Sequence, residues 1–214
     1  MERSLTVLLS VENAQATLER DVRRLLEVLP ELTAHFEILI VDDGSTDATF
    51  EVADELSTWY PQVRVTRNTT PSGRMRSIQG GIRKSRGEFV LLIDEDSRLP
   101  IDEIWRVWAA TESHDIVLGR LPSTAAYDPS RFRRLDGASQ GGYQILRRGA
   151  MGPIWDSLGH QLTLRAELAR TGGKWFEVEI STGQAGRCNR GPSPAGRPQR
   201  PNYLQAIRNF ALGE

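Results

Sequence analysis

Apolar residues along the first 120 positions recur with two different spacings, and the alternation between them lays out a series of elements. LTVLLS (5–10) is a short apolar run with β-branched members, which predicts a buried strand. Over 16–29 the spacing turns helical: Leu18, Val22, Leu25, Leu26 and Leu29 recur with charges between them, and Pro30 closes the helix. FEILIV (36–41) predicts a second strand. Ser45 or Asp47 can cap the next helix, which runs to about Ser57 with Phe50, Val52, Ala53 and Leu56 as its apolar positions. VRVT (63–66) predicts a third strand, and RMRSIQGGIRKS (74–85) a helix weakened by Gly80 and Gly81. EFVLLI (88–93) is a fourth strand, IDEIWRVWAAT (101–111) a helix anchored in the core by Trp105 and Trp108, and DIVLG (115–119) a fifth strand.

Past residue 120 the pattern loosens. Residues 121–142 are turn-rich and polar, which predicts a loop. YQILRR (143–148) and WFEVEI (175–180) read as strands, and 156–171 as a helix. Residues 181–201 are rich in Gly, Pro and Arg and lack apolar residues for a core, and 202–212 form a short amphipathic helix. Strands alternating with helices predict an α/β fold, a mainly parallel central sheet with helices on both faces. Ligands on such sheets bind beyond the carboxyl ends of the strands. Asp42, Asp43, Asp94 and Asp96 all fall at such ends.

Composition narrows this little. A chain of 214 residues with 39% hydrophobic positions can bury a core of its own as one domain. The net charge of -1 gives no case for nucleic acid. Cys188 is the single cysteine, so no intrachain disulfide forms and a reducing, cytoplasmic setting is expected. No segment approaches the roughly 20 apolar residues of a membrane span. Asn68-Thr69-Thr70 has the form of a glycosylation sequon and is read as chance.

Asp94 and Asp96 stand two apart at a strand end, so in extended chain their carboxylates face one side. Hard oxygen ligands of this kind suit Mg²⁺ or Mn²⁺ shared with substrate phosphates; a merely solvated acidic strand end is the alternative. Other signals are weaker. GASQG (137–141) matches the nucleophile elbow of hydrolases, but the charged RFRRLD before it cannot be the buried strand that motif requires. A phospho-acceptor receiver domain would carry its acidic pair after the first strand, not the second. Dinucleotide and P-loop fingerprints are absent from the sequence, and His35, His114 and His160 lack metal-ligand spacing.

The motifs combine into a resemblance. EILIVDDGSTDAT is similar to the second-strand motif of the family 2 inverting glycosyltransferases, which have the GT-A fold. SIQGGIRKSRGEFVLLIDED resembles that family's approach to its Asp-x-Asp motif, with Ser77, Gly81, Gly87 and Glu88 at the expected spacing. DIVLGR, GGYQILRR and WFEVEI resemble the polyprenyl-phosphate branch, which includes dolichol-phosphate mannose synthase. The resemblance implies a nucleotide-sugar-binding half over 1–120, an acceptor half over 121–180, and a basic loop and terminal helix over 181–214.

It also implies roles. Asp42 and Asp43 would hold the base and ribose of a UDP- or GDP-sugar, with Ser10, Asn13, Gly73, Arg76 and Asp94 completing the nucleotide site. Asp94 and Asp96 would hold Mg²⁺ or Mn²⁺ on the diphosphate, and Arg120 would sit near phosphate. Ser139, Arg187 and Arg190 would face the acceptor, a polyprenyl phosphate at the inner face of the membrane. Such an acceptor is already an anion and needs no base, whereas a sugar hydroxyl would need one. Asp136 is the one candidate for that, and a solvated loop aspartate is its plainer reading. The chain departs from the family's Pro-Val-Tyr-Asn-Glu first-strand ending, reading Ser10-Val11-Glu12-Asn13-Ala14, and carries Arg98 where a glutamine is usual. Those departures motivate a second reading, a non-catalytic relative that binds nucleotide or a partner.

Overall fold

A computed structural model describes residues 3–93, 104–120, 143–151 and 175–179 of the chain. The elements follow in the order β1 (Leu5–Val11), α1 (Leu18–Val28), β2 (Phe36–Asp42), α2 (Thr49–Trp59), β3 (Val63–Arg67), α3 (Arg74–Lys84), β4 (Phe89–Leu92), α4 (Ile104–Ala110), β5 (Ile116–Arg120), β6 (Gln144–Arg147) and β7 (Phe176–Glu179). The predicted helices over 156–171 and 202–212 and the loops over 121–142 and 181–201 lie outside the described residues.

The strands form one sheet in the order β3-β2-β1-β4-β6-β5-β7. β1 runs parallel to β2 and β4, β2 to β3, and β5 to β7, while β6 is antiparallel to both of its neighbours. Six strands therefore point one way, and their carboxyl ends lie along one edge. The register carries this through: Val11 stands opposite Asp42, and Asp42 opposite Arg67.

Alternation along the strands divides the core. Leu5, Val7, Leu9 and Val11 of β1 and Ile38 and Ile40 of β2 face one side, where Leu18, Val22 and Leu25 of α1, Ala53 and Leu56 of α2, and Ile104, Val107 and Trp108 of α4 cover them. Leu8, Leu39, Val41 and Val90 face the other side, against Ile82 of α3. The sheet is thus mainly parallel with helices on both faces, as the periodicity predicts.

Three local expectations change. Pro30 ends α1 but does not end the coil: Leu29–Glu31 tightens into a 3₁₀ turn with the proline at its start, where a missing N–H costs nothing. Trp108 is buried, but Trp105 is 54% exposed, so only one of the two anchors the core. The inward stripe of α4 is Ile104, Val107 and Trp108, and Trp105 falls outside it. Gly81 does not weaken α3 idly. A Cβ there would lie 2.4 Å from Leu8 Cδ1 and 3.0 Å from Val41 Cγ2, so the glycine lets the helix approach the sheet.

Candidate functional site

Three loops crown the carboxyl edge over β1, β2 and β3, and they are laced to each other. Asn13 N–H donates to Ser45 Oγ at 2.9 Å, and its Oδ1 accepts from Thr46 N–H at 2.9 Å. Ala14 N–H donates to Thr49 Oγ1 at 2.7 Å, and Ala48 N–H to Gln15 Oε1 at 2.9 Å. Asn13 takes up φ 54, a left-handed conformation that asparagine tolerates. Asp47 caps α2 from just upstream, accepting from the N–H of Thr49 at 3.0 Å and from its hydroxyl. Those bonds hold its carboxyl below the ordinary value. Ser45, the other predicted cap, instead receives Asn13.

Asp42 and Asp43 are both buried, and they are not a pair. Successive strand residues face opposite sides, so each carboxylate finds its own partners. Asp42, fully buried, accepts from Ser45 N–H at 3.0 Å, and its other oxygen lies 3.1 Å from Arg67 Nε in an ion pair. Arg67 also donates to Ser45 O at 3.0 Å and lies over the Phe50 ring. Asp43 turns toward the loop after β3. Its Oδ1 accepts from Asn68 Nδ2 at 2.8 Å and from Ser72 N–H and Oγ at 2.9 Å each, and its Oδ2 from Gly73 N–H at 2.8 Å. Burial pushes the Asp43 carboxyl up, but hydrogen bonds from Asn68 and Ser72, with Ser77 behind them, outweigh it and hold the group at about 2. Four donors are about as many as a carboxylate accommodates.

The loop over 68–73 is therefore built on Asp43. Pro71 crosses Gly44, where a Cβ would stand 2.8 Å from the proline nitrogen, and Gly44 itself has φ 77. Gly73 turns at φ 87 into α3. The Asn68 carboxamide also reaches Ser77 Oγ at 2.8 Å, so the sequon's nitrogen is engaged inside the fold. Arg67, Asn68 and Ser72 do not figure among the residues that the sequence points to. Their position after β3, next to β2, is the signal that could have found them.

The remaining predicted residues divide clearly. Ser10 is buried on β1 opposite Val41, at the same edge as Asn13, Asp42, Asp43 and Gly73. Arg76 is exposed in the first turn of α3. The backbone of Arg120 ends β5 on this edge, and its side chain is not described. Strands lie about 4.8 Å apart, so β4 stands roughly 10 Å from β2, and β5 roughly 10 Å beyond β4. Asp94, Asp96, Ser139, Arg187 and Arg190 lie outside the described residues. Among the described residues no three His, Cys, Asp or Glu side chains gather to hold a metal ion.

A family model described as glycosyl transferase family 2 matches residues 6–172. The chain belongs to that family. The glycosyltransferase match runs from β1 past β6, so it takes in the whole laced edge. One relative is an undecaprenyl-phosphate 4-deoxy-4-formamido-L-arabinose transferase from Salmonella choleraesuis, 27% identical over 73% of this chain and 51% of its own length. Another is a dolichol-phosphate mannosyltransferase from Pyrococcus furiosus, 32% identical over 54% of this chain and 32% of its own. The chain thus spans about half or less of the length of these curated relatives. Among solved structures, a mannosyltransferase from Pyrobaculum calidifontis in complex with GDP-Man and Mn²⁺ superposes with a TM-score of 0.58. Its identity is 18%, over 87% of this chain and 59% of that one. The glycosyltransferase fold is GT-A. Among the described residues no helix is long and apolar enough to cross a membrane.

Proposed function

We propose that this chain transfers a sugar from a nucleoside-diphosphate sugar to a polyprenyl phosphate, with a divalent metal and with inversion. The observation that carries the reading is the common edge. β1, β2, β3, β4 and β5 all end along it, and the family match covers them all. The nucleoside would lie over the ends of β1 and β2, and the diphosphate toward β4 and Arg120. Asp43 would serve the base by building the loop after β3, and Asp42 would do so through Arg67 and Ser45. Ser10, Asn13, Gly73 and Arg76 would line the same site.

Asp42, Asp43 and Asp47 are spent on chain donors and on Arg67, so they fit no cation. The donor set that suits one is Asp94 and Asp96, next in sequence after the parallel strand β4. Asp94 and Asp96 would hold a divalent ion there, which would supply charge neutralisation for the nucleoside diphosphate as it departs. Asp94 would also orient the ribose, Arg120 would add positive charge near phosphate, and Ser139, Arg187 and Arg190 would hold the acceptor. A lipid phosphate attacks as an anion, so positioning suffices without a base. A polyprenyl acceptor brings the protein to the inner membrane face as a peripheral component.

Turnover is measured with UDP-glucose and GDP-mannose, Mn²⁺ and a short polyprenyl phosphate. Transfer by the native chain, abolished in Asp96→Ala with its melting temperature unchanged, supports the reading. Donor binding without turnover across a full panel of sugars favours a binding protein instead, a reading that Glu12, Ala14 and Arg98 keep open.

A further inference from the structure

We infer that Glu12 reads the nucleobase of the donor and selects guanine. The inference rests on the proposed function, in which the base lies over the ends of β1 and β2. Glu12 follows directly on Val11, the last residue of β1, whose carbonyl accepts from Asp43 N–H at 2.9 Å. Its neighbours on the other side are tied down. Asn13, Ala14 and Gln15 all bond to the loop over 45–49. Among the described residues Glu12 alone in this stretch has no hydrogen bond or ion pair, and its side chain is exposed.

The other carboxylates of the three crowning loops are occupied. Asp42 is fully buried on Ser45 and Arg67, Asp43 holds four donors, and Asp47 caps α2. So a fixed backbone presents one unspent carboxylate at the proposed base site. Its chemistry discriminates. Guanine offers N1–H and the N2 amine side by side, two donors for two carboxylate oxygens. Uracil offers a single N–H between two carbonyls, and those carbonyls repel a carboxylate. A site built to accept two hydrogen bonds rejects the base that lacks them.

Calorimetric titration of the native chain with GDP, inosine diphosphate and UDP, each with Mn²⁺, tests this beside Glu12→Gln. The native chain should bind GDP about tenfold or more tighter than UDP. Inosine diphosphate, which keeps N1–H and lacks the amine, should fall between them. Glu12→Gln should lose about tenfold for GDP and leave UDP within about twofold. Equal affinity of the native chain for GDP and UDP, or an unchanged preference in the variant, overturns the inference. A parallel loss for both nucleotides places Glu12 on the shared ribose or phosphates and also overturns it. If the folded native chain binds none of the three, the proposed function itself falls, and the inference with it.

Discussion

Asp43 accepts four donors in a buried setting, and that arrangement has a consequence in acid. Its carboxyl is held at about 2 in the folded chain, against 3.8 for the ordinary group. A depressed folded value means that the stabilisation is fully present above about pH 4 and is lost as the pH falls toward 2. The amount is about 2 kcal/mol. Glu37 behaves in the same direction: burial raises it, but hydrogen bonds from Arg64, Arg86 and Thr6 hold it below its ordinary value. Asp43→Asn separates the two. It should destabilise the chain by roughly 1–3 kcal/mol at pH 6, because an amide nitrogen then faces a donor. It should also lose less stability than the native chain between pH 5 and pH 2, as read from urea unfolding. The sequence marked Asp43 through its place at a strand end. It could not mark Asn68 and Ser72 as its partners, because that loop takes its path from the crossing of Pro71 over Gly44 and from the turn at Gly73, which are contacts distant in sequence.

The elements themselves were legible because their apolar periods are long and clean. The period predicts β2 over 36–41, and the strand spans Phe36–Asp42; it predicts α3 over 74–85, and the helix spans Arg74–Lys84. What the period could not separate was the two glycines of α3. Gly80 has nothing within 4 Å of a built Cβ, whereas Gly81 meets Leu8 and Val41. Their alanine variants should therefore differ in sign. Gly80→Ala should stabilise by up to about 1 kcal/mol through helix propensity. Gly81→Ala should destabilise by about 1 kcal/mol or more, since overpacking the interior beneath a helix outweighs that gain. Thermal melting of the two variants decides it, and two shifts of the same sign would mean that α3 does not seat on Leu8 as described. The pairing of Trp105 with Trp108 failed for a related reason: a three-residue interval permits one helix face but does not require it, and Ile104 and Val107 had already set the inward stripe.

At the scale of the whole molecule, the parallel sheet and its covered faces followed from the alternation of strand and helix, but the place of β6 did not. YQILRR announces a strand, and nothing in its side chains tells that it runs against its neighbours and lies between β4 and β5. That insertion spreads the proposed site, because it sets Arg120 roughly 10 Å from the end of β4. It also orders assembly. β1, β2 and β3 are joined by short crossovers and pair among themselves, whereas among the described residues β5 pairs only with β6 and β7. Pulse-labelled hydrogen exchange during refolding should show amides of β1 to β3 protected before those of β5. Simultaneous protection of both groups would count against this order. On the ribosome the same layout becomes a waiting time. Ile116, Val117 and Leu118, all buried in the finished protein, are made well before Gln144 begins β6, their antiparallel neighbour. At ~5–20 residues per second the gap lasts on the order of seconds. Through that interval a newborn strand is open to chaperones and to neighbouring nascent chains, so cellular yield should depend on translation speed between residues 120 and 144.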